Sequence, residues 1–337
     1  MKEARLYQKL KDKSVHCHLC SHCCLIKPGK RGLCFVRENQ NGILYSLVYG
    51  LAIEANVDPI EKKPFFHFQP DSKSFSIATA GCNFRCEFCQ NWQGSQITKG
   101  PKGKIIGFQL SPEEIVKQAI KNACRSVAYT YTEPTIFFEY AQDTAQIAKK
   151  QGLANVFVTN GFQTPETIKE MAKFVDAANI DLKSFSEKFY QKICGGRLKP
   201  VLESIELMHQ AGIWLEITTL IVPGQNDSKK ELTQIAQFIA SLDKNIPWHL
   251  SRFHPDFQMT DSYPTPIETL NMAYQLGKKA GLKYVYLGNI VTEDKENTYC
   301  PECGNLAIRR IGYDIEILGV DKKGKCSKCG ENLNMRI

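Results

Sequence analysis

The chain has 337 residues, 43% of them hydrophobic, which is enough to bury one large core or two smaller ones and excludes disordered and fibrous proteins. Its net charge of +8 is small for this length and is spread along the sequence, so it permits nucleic-acid binding without indicating it. The 14 cysteines, about 4% of the residues, exceed ordinary usage but fall short of a disulfide scaffold, and most stand in clusters.

The start of the sequence has no features of a secretory signal. Residues 1–13 mix charged and apolar side chains, and no run of about 18 apolar residues occurs anywhere. The sequence therefore predicts a soluble, cytoplasmic protein. In a reducing compartment, clustered cysteines are expected to bind metals or act in catalysis rather than form disulfides.

The first cysteine cluster lies near the N-terminus. Cys17, Cys20, Cys24 and Cys34 provide four ligands, and Cys23 is left over. Four thiolates can close the shell of a zinc ion, which is the more economical interpretation. An auxiliary iron–sulfur cluster that passes electrons is the alternative, and nearby histidines allow mixed ligation. The sequence leaves both possibilities open.

A dense polar run follows this cluster and precedes the βα region of the chain. It contains Asp58, Glu61, Lys62, Lys63 and His67. Charged residues at this density suit a lid that contacts a substrate or partner, and they equally suit a linker exposed to solvent. Both interpretations stay open.

Between the cysteine clusters, short β-branched or aromatic runs alternate with longer amphipathic stretches, the pattern of repeated βα units. Strands are predicted at 75–79, 126–131, 155–159, 178–182, 214–222 and 248–253, with a further edge strand at 284–287. Helices are predicted to start where a hydroxyl can cap the first turn, at Ser111, Thr164, Ser228 and Thr265. About six such units over about 220 residues suit a partial or complete α/β barrel better than a doubly wound sheet.

Three cysteines, Cys82, Cys86 and Cys89, directly follow the first predicted strand of this series. Their CxxxCxxC spacing fits one compact loop and supplies three thiolates to one metal centre, whereas closed iron–sulfur and structural zinc sites need four ligands. A three-thiolate cluster leaves one iron open to an exogenous ligand, which indicates chemistry rather than structure. A zinc site completed by a distant histidine is the alternative.

This loop, with the aromatic Phe88 before its last cysteine, resembles the signature of radical S-adenosylmethionine (SAM) enzymes. The resemblance implies that Cys82, Cys86 and Cys89 hold a 4Fe–4S cluster, with SAM chelating the open iron and Phe88 beside the cofactor. One electron from the reduced cluster then cleaves SAM to methionine and a 5′-deoxyadenosyl radical, which abstracts hydrogen from the substrate.

The segment after the second predicted strand extends the resemblance. Tyr131-Thr132-Glu133-Pro134 occupies the place of the Gly-Gly-Glu-Pro-like motif that binds the amino group of SAM. By this resemblance Glu133 pairs with that ammonium group. Tyr131 and Thr132 replace the two glycines, so the backbone contacts of the motif are less well defined here than the carboxylate.

Three further residues after predicted strands are expected to contact the cofactor. Asn160 and Asp181 lie at strand ends, in segments that resemble the third- and fourth-strand motifs of pyruvate formate-lyase-activating enzymes. His254 follows the sixth strand and precedes a proline. His249, within that strand, is either a ligand contact or a hydrogen-bonded histidine of the barrel. Barrels carry their sites at this end of the strands.

Four segments resemble one subgroup more closely, the radical SAM proteins of the AmmeMemoRadiSam system: 57–68, 89–92, 249–256 and 284–289. The resemblance covers nearly the whole chain. It implies an enzyme that works with the other proteins of that system and receives electrons from a flavodoxin- or ferredoxin-type donor, with no membrane or nucleic-acid partner. It does not name a substrate.

The last cysteines form two CxxCG knuckles, Cys300 with Cys303 and Cys326 with Cys329. Four thiolates at this spacing indicate a zinc ribbon or a rubredoxin-like site, with zinc preferred to iron. A segment of about 40 residues builds little core, so the metal is expected to supply its folding energy.

The sequence thus predicts an α/β protein in three parts: an N-terminal Cys-rich module with the pre-barrel segment at 1–68, a radical SAM partial (β/α)6-type barrel at 69–292, and the zinc-ribbon or rubredoxin-like module at 293–337. The predicted activity is radical SAM chemistry of an oxidoreductase or lyase type on an unidentified substrate. A protein that activates a glycyl-radical enzyme is the alternative. A zinc-ribbon protein that binds nucleic acid or a partner is a further one, but it leaves the barrel unexplained.

Overall fold

A computed structural model describes residues 1–100, 103–292 and 294–337 of the chain. Short antiparallel strands come first: β1 (Lys2–Glu3), β2 (Tyr7–Lys9), β3 (Val15–Cys17), β4 (Leu25–Ile26), β5 (Arg37–Gln40), β6 (Ile43–Ser46), β7 (Leu51–Ala52) and β8 (Glu54–Pro59). The first six of these strands form two small sheets, of order β1-β6-β5 and β2-β3-β4. Val15 and Val36 of this region pack into the same hydrophobic core as the barrel, so the first part of the chain has no separate core.

The main sheet is built from the predicted βα units. Its later strands are β9 (Lys73–Ala78), β11 (Ser126–Tyr129), β12 (Ala154–Thr159), β13 (Ala177–Asp181), β14 (Trp214–Ile221), β15 (Trp248–Arg252) and β16 (Val285–Gly288), while β10 (Phe108–Gln109) pairs with β7. These seven strands are parallel and lie side by side in chain order, and β8 adds an antiparallel edge to β9. Each lies within two residues of its predicted bounds.

Helices connect the parallel strands. They are α1 (Trp92–Ser95), α2 (Pro112–Lys121), α3 (Phe138–Lys150), α4 (Pro165–Met171), α5 (Glu187–Phe189), α6 (Leu198–Gln210), α7 (Lys229–Leu242) and α8 (Ile267–Lys279). The predicted caps at Ser111, Thr164 and Ser228 are confirmed, because each hydroxyl accepts a hydrogen bond from a first-turn amide at 3.2 Å.

The predicted cap at Thr265 is wrong. Helix α8 begins at Ile267 after Pro266, without a side-chain cap. The Thr265 hydroxyl instead donates to the Ile221 carbonyl at 2.6 Å and accepts from the Phe253 amide at 2.8 Å. It therefore joins the ends of β14 and β15, a tertiary role that competes with capping.

The sheet curves into a partial barrel. Residues at or just after the ends of strands as far apart as β11 and β16, such as Thr130 and Asn289, line one cavity. Alternate residues of the strands, including Val127 and Tyr129, face outward into the core shared with the helices. The predicted α/β fold with a partial barrel is confirmed.

The polar run lies inside this barrel. Phe65 and Phe68 pack against the inward side chains of β11 to β13, and Lys63 and His67 are 1% and 0% exposed. The solvated-linker interpretation was therefore wrong, whereas contact of this run with a substrate or partner stays a prediction. The polar run fills the amino-terminal half of the barrel. Its charged side chains can be buried there because they are paired within the fold.

The C-terminal part forms a small antiparallel sheet of β17 (Thr298–Tyr299), β18 (Leu306–Ile311) and β19 (Asp314–Ile317). It packs against the segment inside the barrel: Arg310 Nη2 donates to the Phe66 carbonyl at 2.8 Å, and His67 Nδ1 lies 2.8 Å from the Asn334 carbonyl. The domain boundaries at 68/69 and 292/293 stay predictions, and Glu293 lies outside the described residues. Within the described ranges, no helix has the length and apolar character needed to cross a membrane.

Candidate functional site

The carboxyl ends of the barrel strands surround a cavity of about 430 Å³. Its wall includes the loop after β9 and residues at or just after the ends of the strands from β11 to β16. The buried polar run of residues 58–67, called the barrel segment below, lies at its base. This volume falls within the range of roughly 300–1,000 Å³ typical of ligand pockets. It also lies on the face where α/β barrels carry their sites.

The three cysteines after β9 are all on the cavity wall. The loop of Cys82, Cys86 and Cys89 starts at Gly81, whose φ is +100°. A Cβ at Gly81 would come within 2.7 Å of Val36 Cγ1, so only glycine allows the chain to turn this close to the N-terminal region. The turn directs the three thiols toward one end of the cavity.

The far side of this loop rests on the turn of π-helix at Tyr190–Cys194. The amides of Arg85 and Glu87 donate to the carbonyls of Cys194 and Ile193 at 2.8 and 3.1 Å. Cys194 itself is buried, as is Cys124 elsewhere in the chain. Backbone hydrogen bonds thus hold the loop, and its sulfurs add local contacts: Cys82 Sγ accepts from the Phe84 amide at 3.3 Å, and Cys89 Sγ lies 3.2 Å from Ser95 Oγ.

The thiols are protonated unless a metal binds them. Burial raises the pKa of Cys82 and Cys89, and a hydrogen bond with the Cys194 thiol, together with burial, raises that of Cys86. Metal binding must therefore displace protons. The three sulfurs do not lie within 4.8 Å of one another, and none of the described histidines lines the cavity, so zinc completed by a histidine has no support.

Glu133 lies at the cavity wall beside this loop and is 1% exposed. Its Oε1 accepts from the Thr135 amide at 3.0 Å and the Thr159 hydroxyl at 2.7 Å, and its Oε2 accepts from the Asn160 amide at 2.8 Å. Burial raises the pKa of Glu133, and these hydrogen bonds oppose the rise. The carboxylate is fixed in place and keeps acceptor capacity on Oε2 for a cationic group.

Asn160 connects Glu133 to the cysteine loop. Its backbone amide binds the carboxylate, and its Nδ2 donates to Asn83 Oδ1 at 2.7 Å and lies 4.0 Å from Cys82 Sγ. Cys82, Glu133 and Asn160, which the sequence predicts as a metal ligand and cofactor contacts, therefore lie around one cavity, and Asn83 was missed.

Comparison with known proteins agrees with this geometry. The sequence model of the radical SAM superfamily matches residues 76–239, which span β9 to α7 and contain all three cysteines of the loop. The chain belongs to the radical SAM superfamily. It is 48% identical over 337 residues to the uncharacterized protein MJ0808 of Methanocaldococcus jannaschii, covering 99% of both chains.

Two activating enzymes are more distant relatives. The pyruvate formate-lyase 1-activating enzyme of Escherichia coli is 23% identical over 220 residues, 61% of this chain and 89% of that enzyme. A solved domain of a pyruvate-formate lyase-activating enzyme from Bacteroides vulgatus matches with a TM-score of 0.44 and 22% identity, over 49% of this chain and 99% of that one.

Members of the radical SAM superfamily are enzymes that use a 4Fe–4S cluster and SAM, so the protein is an enzyme. The residues present fit these groups. Three thiols, one buried and two partly buried, face an open cavity whose described lining residues include no fourth cysteine and no histidine, and a fixed carboxylate stands beside them.

Asp181 and Phe88 also line the cavity, as the sequence predicted for cofactor contacts. Asp181 and Phe88 share a neighbour that the sequence did not indicate, Lys183. Its Nζ lies 2.7 Å from Asp181 Oδ2 and 5.8 Å from the centre of the Phe88 ring. Although burial opposes it, the charge of Asp181 holds the pKa of Lys183 well above its usual value. This radical SAM site therefore contains a fixed cation beside its cysteines.

The two histidines of the sixth-strand segment lie elsewhere. His254 is exposed and outside the described cavity wall, with its Nδ1 3.2 Å from Nε2 of Gln90, a wall residue. His249 is buried, with its Nε2 2.7 Å from Glu216 Oε2. It is a hydrogen-bonded barrel histidine, one of the two roles that the sequence allowed. Contact between His254 and the cofactor stays a prediction.

The barrel segment contributes Lys62 and Lys63 to the cavity wall. Their ammonium groups lie 2.8 and 2.7 Å from the two oxygens of Asp58, which also accepts from the Tyr131 hydroxyl. Burial lowers the pKa of Lys63 to about 8 against the effect of this pairing. Although burial opposes it, hydrogen bonds from Lys62, Lys63 and Tyr131 hold the pKa of Asp58 well below its usual value.

Tyr313 also lines the cavity, although it belongs to the turn between β18 and β19 of the C-terminal sheet. Nothing local in the sequence marks it, since its position depends on how the C-terminal part folds back over the barrel. The C-terminal part thus contributes a residue to the wall of the radical SAM site.

The four C-terminal cysteines come together as predicted, with all ligand atoms within 4.8 Å of one another. Cys300 Sγ lies 3.6 Å from Cys329 Sγ, and Cys303 Sγ lies 3.7 Å from Cys326 Sγ. A Zn–S bond of about 2.3 Å in a tetrahedron places sulfurs about 3.8 Å apart. The set therefore fits one tetrahedral metal ion.

The N-terminal cysteines lie at a separate place. Cys17, Cys20, Cys24 and Cys34 face one buried void, whereas Cys23 is exposed.

Proposed function

We propose that the protein cleaves SAM reductively and uses the product to abstract hydrogen from a substrate that enters the barrel cavity. The observation that carries this proposal is the arrangement of three thiols on the wall of a roomy cavity, with the buried carboxylate of Glu133 beside them. When bound, a 4Fe–4S cluster and SAM supply a 5′-deoxyadenosyl radical at this place.

Several residues of the cavity wall have a proposed role in positioning the cluster or SAM. Cys82, Cys86 and Cys89 hold the cluster and leave one iron for SAM. Glu133 binds the amino group of SAM, since its hydrogen bonds keep it charged and oriented. Asn160 holds both the Glu133 carboxylate and the loop of Cys82. Lys183, buried beside the cysteines, is a countercharge for the anionic cluster.

The proposal is tested with protein reconstituted anaerobically with iron and sulfide and then reduced with dithionite. We expect it to convert SAM to 5′-deoxyadenosine and methionine, measured by liquid chromatography. Cys86→Ala should abolish this conversion because it removes a ligand of the cluster. Cys23→Ser is the matched control, since Cys23 is exposed and away from the cavity. A fully loaded cluster that yields no 5′-deoxyadenosine would overturn the proposal.

Activation of a glycyl-radical enzyme is a second candidate, supported by the similarity to activating enzymes over 61% of the chain. Such an enzyme must admit a loop of another protein. Here Tyr313, Lys62 and Lys63 add side chains to the cavity wall, so a smaller substrate fits better than such a loop. Electron paramagnetic resonance (EPR) distinguishes the two: a stable glycyl radical on a partner would favour activation.

We further propose that the partners are the other proteins of the AmmeMemoRadiSam system and a flavodoxin- or ferredoxin-type electron donor. The motifs at 57–68 and 284–289 support this, because both build the barrel around the cavity. Pull-down from a cell that encodes the system, with the Cys86→Ala variant beside the native chain, tests the association without depending on turnover.

We also propose zinc as the metal of Cys300, Cys303, Cys326 and Cys329, which metal analysis tests.

A further inference from the structure

Four of the five N-terminal cysteines converge on one place. Cys17, Cys20, Cys24 and Cys34 line one buried void, although only Cys17 belongs to a strand, β3, and the other three lie in the loops on either side of β4. Cys23 has a left-handed backbone, with φ of +47°, and is exposed. The fold thus selects four thiols and turns the fifth away, as a site for a ligand with four positions requires.

The spacing of these sulfurs differs from that of the C-terminal set. No three of the N-terminal ligand atoms lie within 4.8 Å of one another, whereas all four C-terminal ones do. A single tetrahedral ion needs sulfurs about 3.8 Å apart. In a 4Fe–4S cluster each thiolate binds a different iron, so the sulfurs stand further apart. The cysteine triplet of the barrel is also too widely spaced for a single ion.

The wall of the same void includes a buried side chain with an unpaired hydrogen-bond donor. Arg37 lines it, is 1% exposed, and has no hydrogen-bond partner for Nε. Its other nitrogens are occupied, since Nη2 pairs with Glu139 and Nη1 donates to the Arg5 carbonyl at 3.3 Å. A buried donor without an acceptor is rare in folded proteins. The sulfur atoms of a bound cluster would provide the acceptor and gain a nearby positive charge.

The void shares a wall with the radical SAM loop. A Cβ on Gly81, the residue before Cys82, would lie 3.2 Å from the Cys34 carbonyl and 3.2 Å from Ile136 Cδ1. Ile136 also lines the void. One layer of residues therefore separates the two sets of thiols.

We propose that Cys17, Cys20, Cys24 and Cys34 hold a second iron–sulfur cluster, directly beside the cluster of the radical SAM loop. This overrides zinc, the simpler interpretation of the sequence, because the sulfurs are too far apart for one ion and Arg37 has an unpaired donor at the void. The proposal concerns binding alone and holds whether or not the enzyme cleaves SAM.

Acid-labile sulfide is the decisive measurement, because a zinc or single iron ion at the C-terminal site contains none. The full chain with Cys82, Cys86 and Cys89 all changed to serine is reconstituted anaerobically with iron and sulfide. We expect about four sulfides and four additional irons per chain, as one 4Fe–4S cluster requires, and an EPR signal after reduction. Zinc without sulfide, or no metal beyond the C-terminal ion, would overturn the proposal. The native chain should contain about twice as much sulfide as a chain with one cluster. Its sulfide content therefore tests for the second cluster even if the variant fails to fold.

Paired variants in the same background locate the cluster. Cys20→Ser should lose the sulfide and the EPR signal, whereas Cys23→Ser should keep both, since Cys23 does not line the void. Equal loss in the two variants would contradict the assignment. In the reduced native chain the EPR spectrum should be broadened relative to the sum of the single-cluster variants, because the two clusters are neighbours. A spectrum equal to that sum would contradict their placement side by side.

Discussion

At the scale of single residues, the site depends on buried charges that are held by neighbours from other elements. Glu133 shows this most directly, because donors from the turn after β11 and from the end of β12 fix both of its oxygens. The sequence identified Glu133 from its place after a strand. It did not indicate the hydrogen bonds from Thr159 and Asn160, which keep a 1% exposed carboxylate oriented toward the cavity.

Glu133→Gln tests whether this charge binds SAM. The amide keeps the size of the side chain but loses the attraction to an ammonium group, and a hydrogen bond to a charged group contributes about 1.5–3 kcal/mol. We expect the dissociation constant of SAM to rise roughly 10- to 100-fold, measured by calorimetry on the reconstituted enzyme. Glu61→Gln is the control, since Glu61 is a buried carboxylate outside the described cavity wall. An unchanged affinity would mean that another group binds the ammonium.

Lys63 gives a pH dependence with a definite sign. Burial lowers its pKa to about 8, below the ordinary lysine value of about 10.4 in an unfolded chain. Between these values the unfolded state binds more protons than the folded state, so this group makes the protein more stable as pH rises. The advantage of the native chain over Lys63→Met should grow by up to roughly 3 kcal/mol from pH 8 to 10.5. Unfolding of both proteins across this range measures it, and a constant difference would contradict the lowered pKa.

At the scale of elements, local signals were sufficient where local interactions decide the structure. The parallel strands β9 and β11 to β16 and the caps at Ser111, Thr164 and Ser228 depend on nearby residues and were predicted correctly, whereas the short β10 was not predicted. The barrel segment was not, because its burial depends on distant partners. Glu216 of β14 accepts from the His67 amide at 2.9 Å, and Asn179 of β13 donates to the Pro64 carbonyl at 2.7 Å. Charge density alone suggests exposure, and only the tertiary fold reverses it.

The pair of Arg37 and Glu139 connects two elements, β5 of the N-terminal region and α3 of the barrel. Both side chains are almost fully buried. Removing one partner leaves an uncompensated buried charge, so Arg37→Met should lower the free energy of unfolding by about 3–5 kcal/mol. The double variant with Glu139→Leu should recover much of this loss, since neither charge remains. Denaturant unfolding of the single and double variants measures the coupling, and additive effects would contradict a functioning pair.

At the scale of the whole molecule, the C-terminal part reaches both ends of the barrel. Arg310 and Asn334 hold the segment at the amino-terminal side through Phe66 and His67, while Tyr313 reaches the cavity at the other. Its own hydrophobic cluster is small, with only a few buried residues such as Ala307, Ile308 and Leu333 around two of the cysteines. A core of this size cannot support the fold by itself, so we expect a metal ion bound by the four cysteines to contribute.

Cys329→Ser should therefore affect more than one metal site. Loss of the fourth thiolate should release the ion, expose residues 294–337 to proteolysis, and remove the contacts of Arg310 and Tyr313 with the barrel. We expect a lower melting temperature and altered SAM cleavage, although Cys329 lies outside the described cavity wall. Lys328→Ser, at an exposed position of the same knuckle, should change none of these. If Cys329→Ser loses its metal and still cleaves SAM at the native rate, the C-terminal part does not help to form the site. Its contact with the cavity would then serve the entry of the substrate.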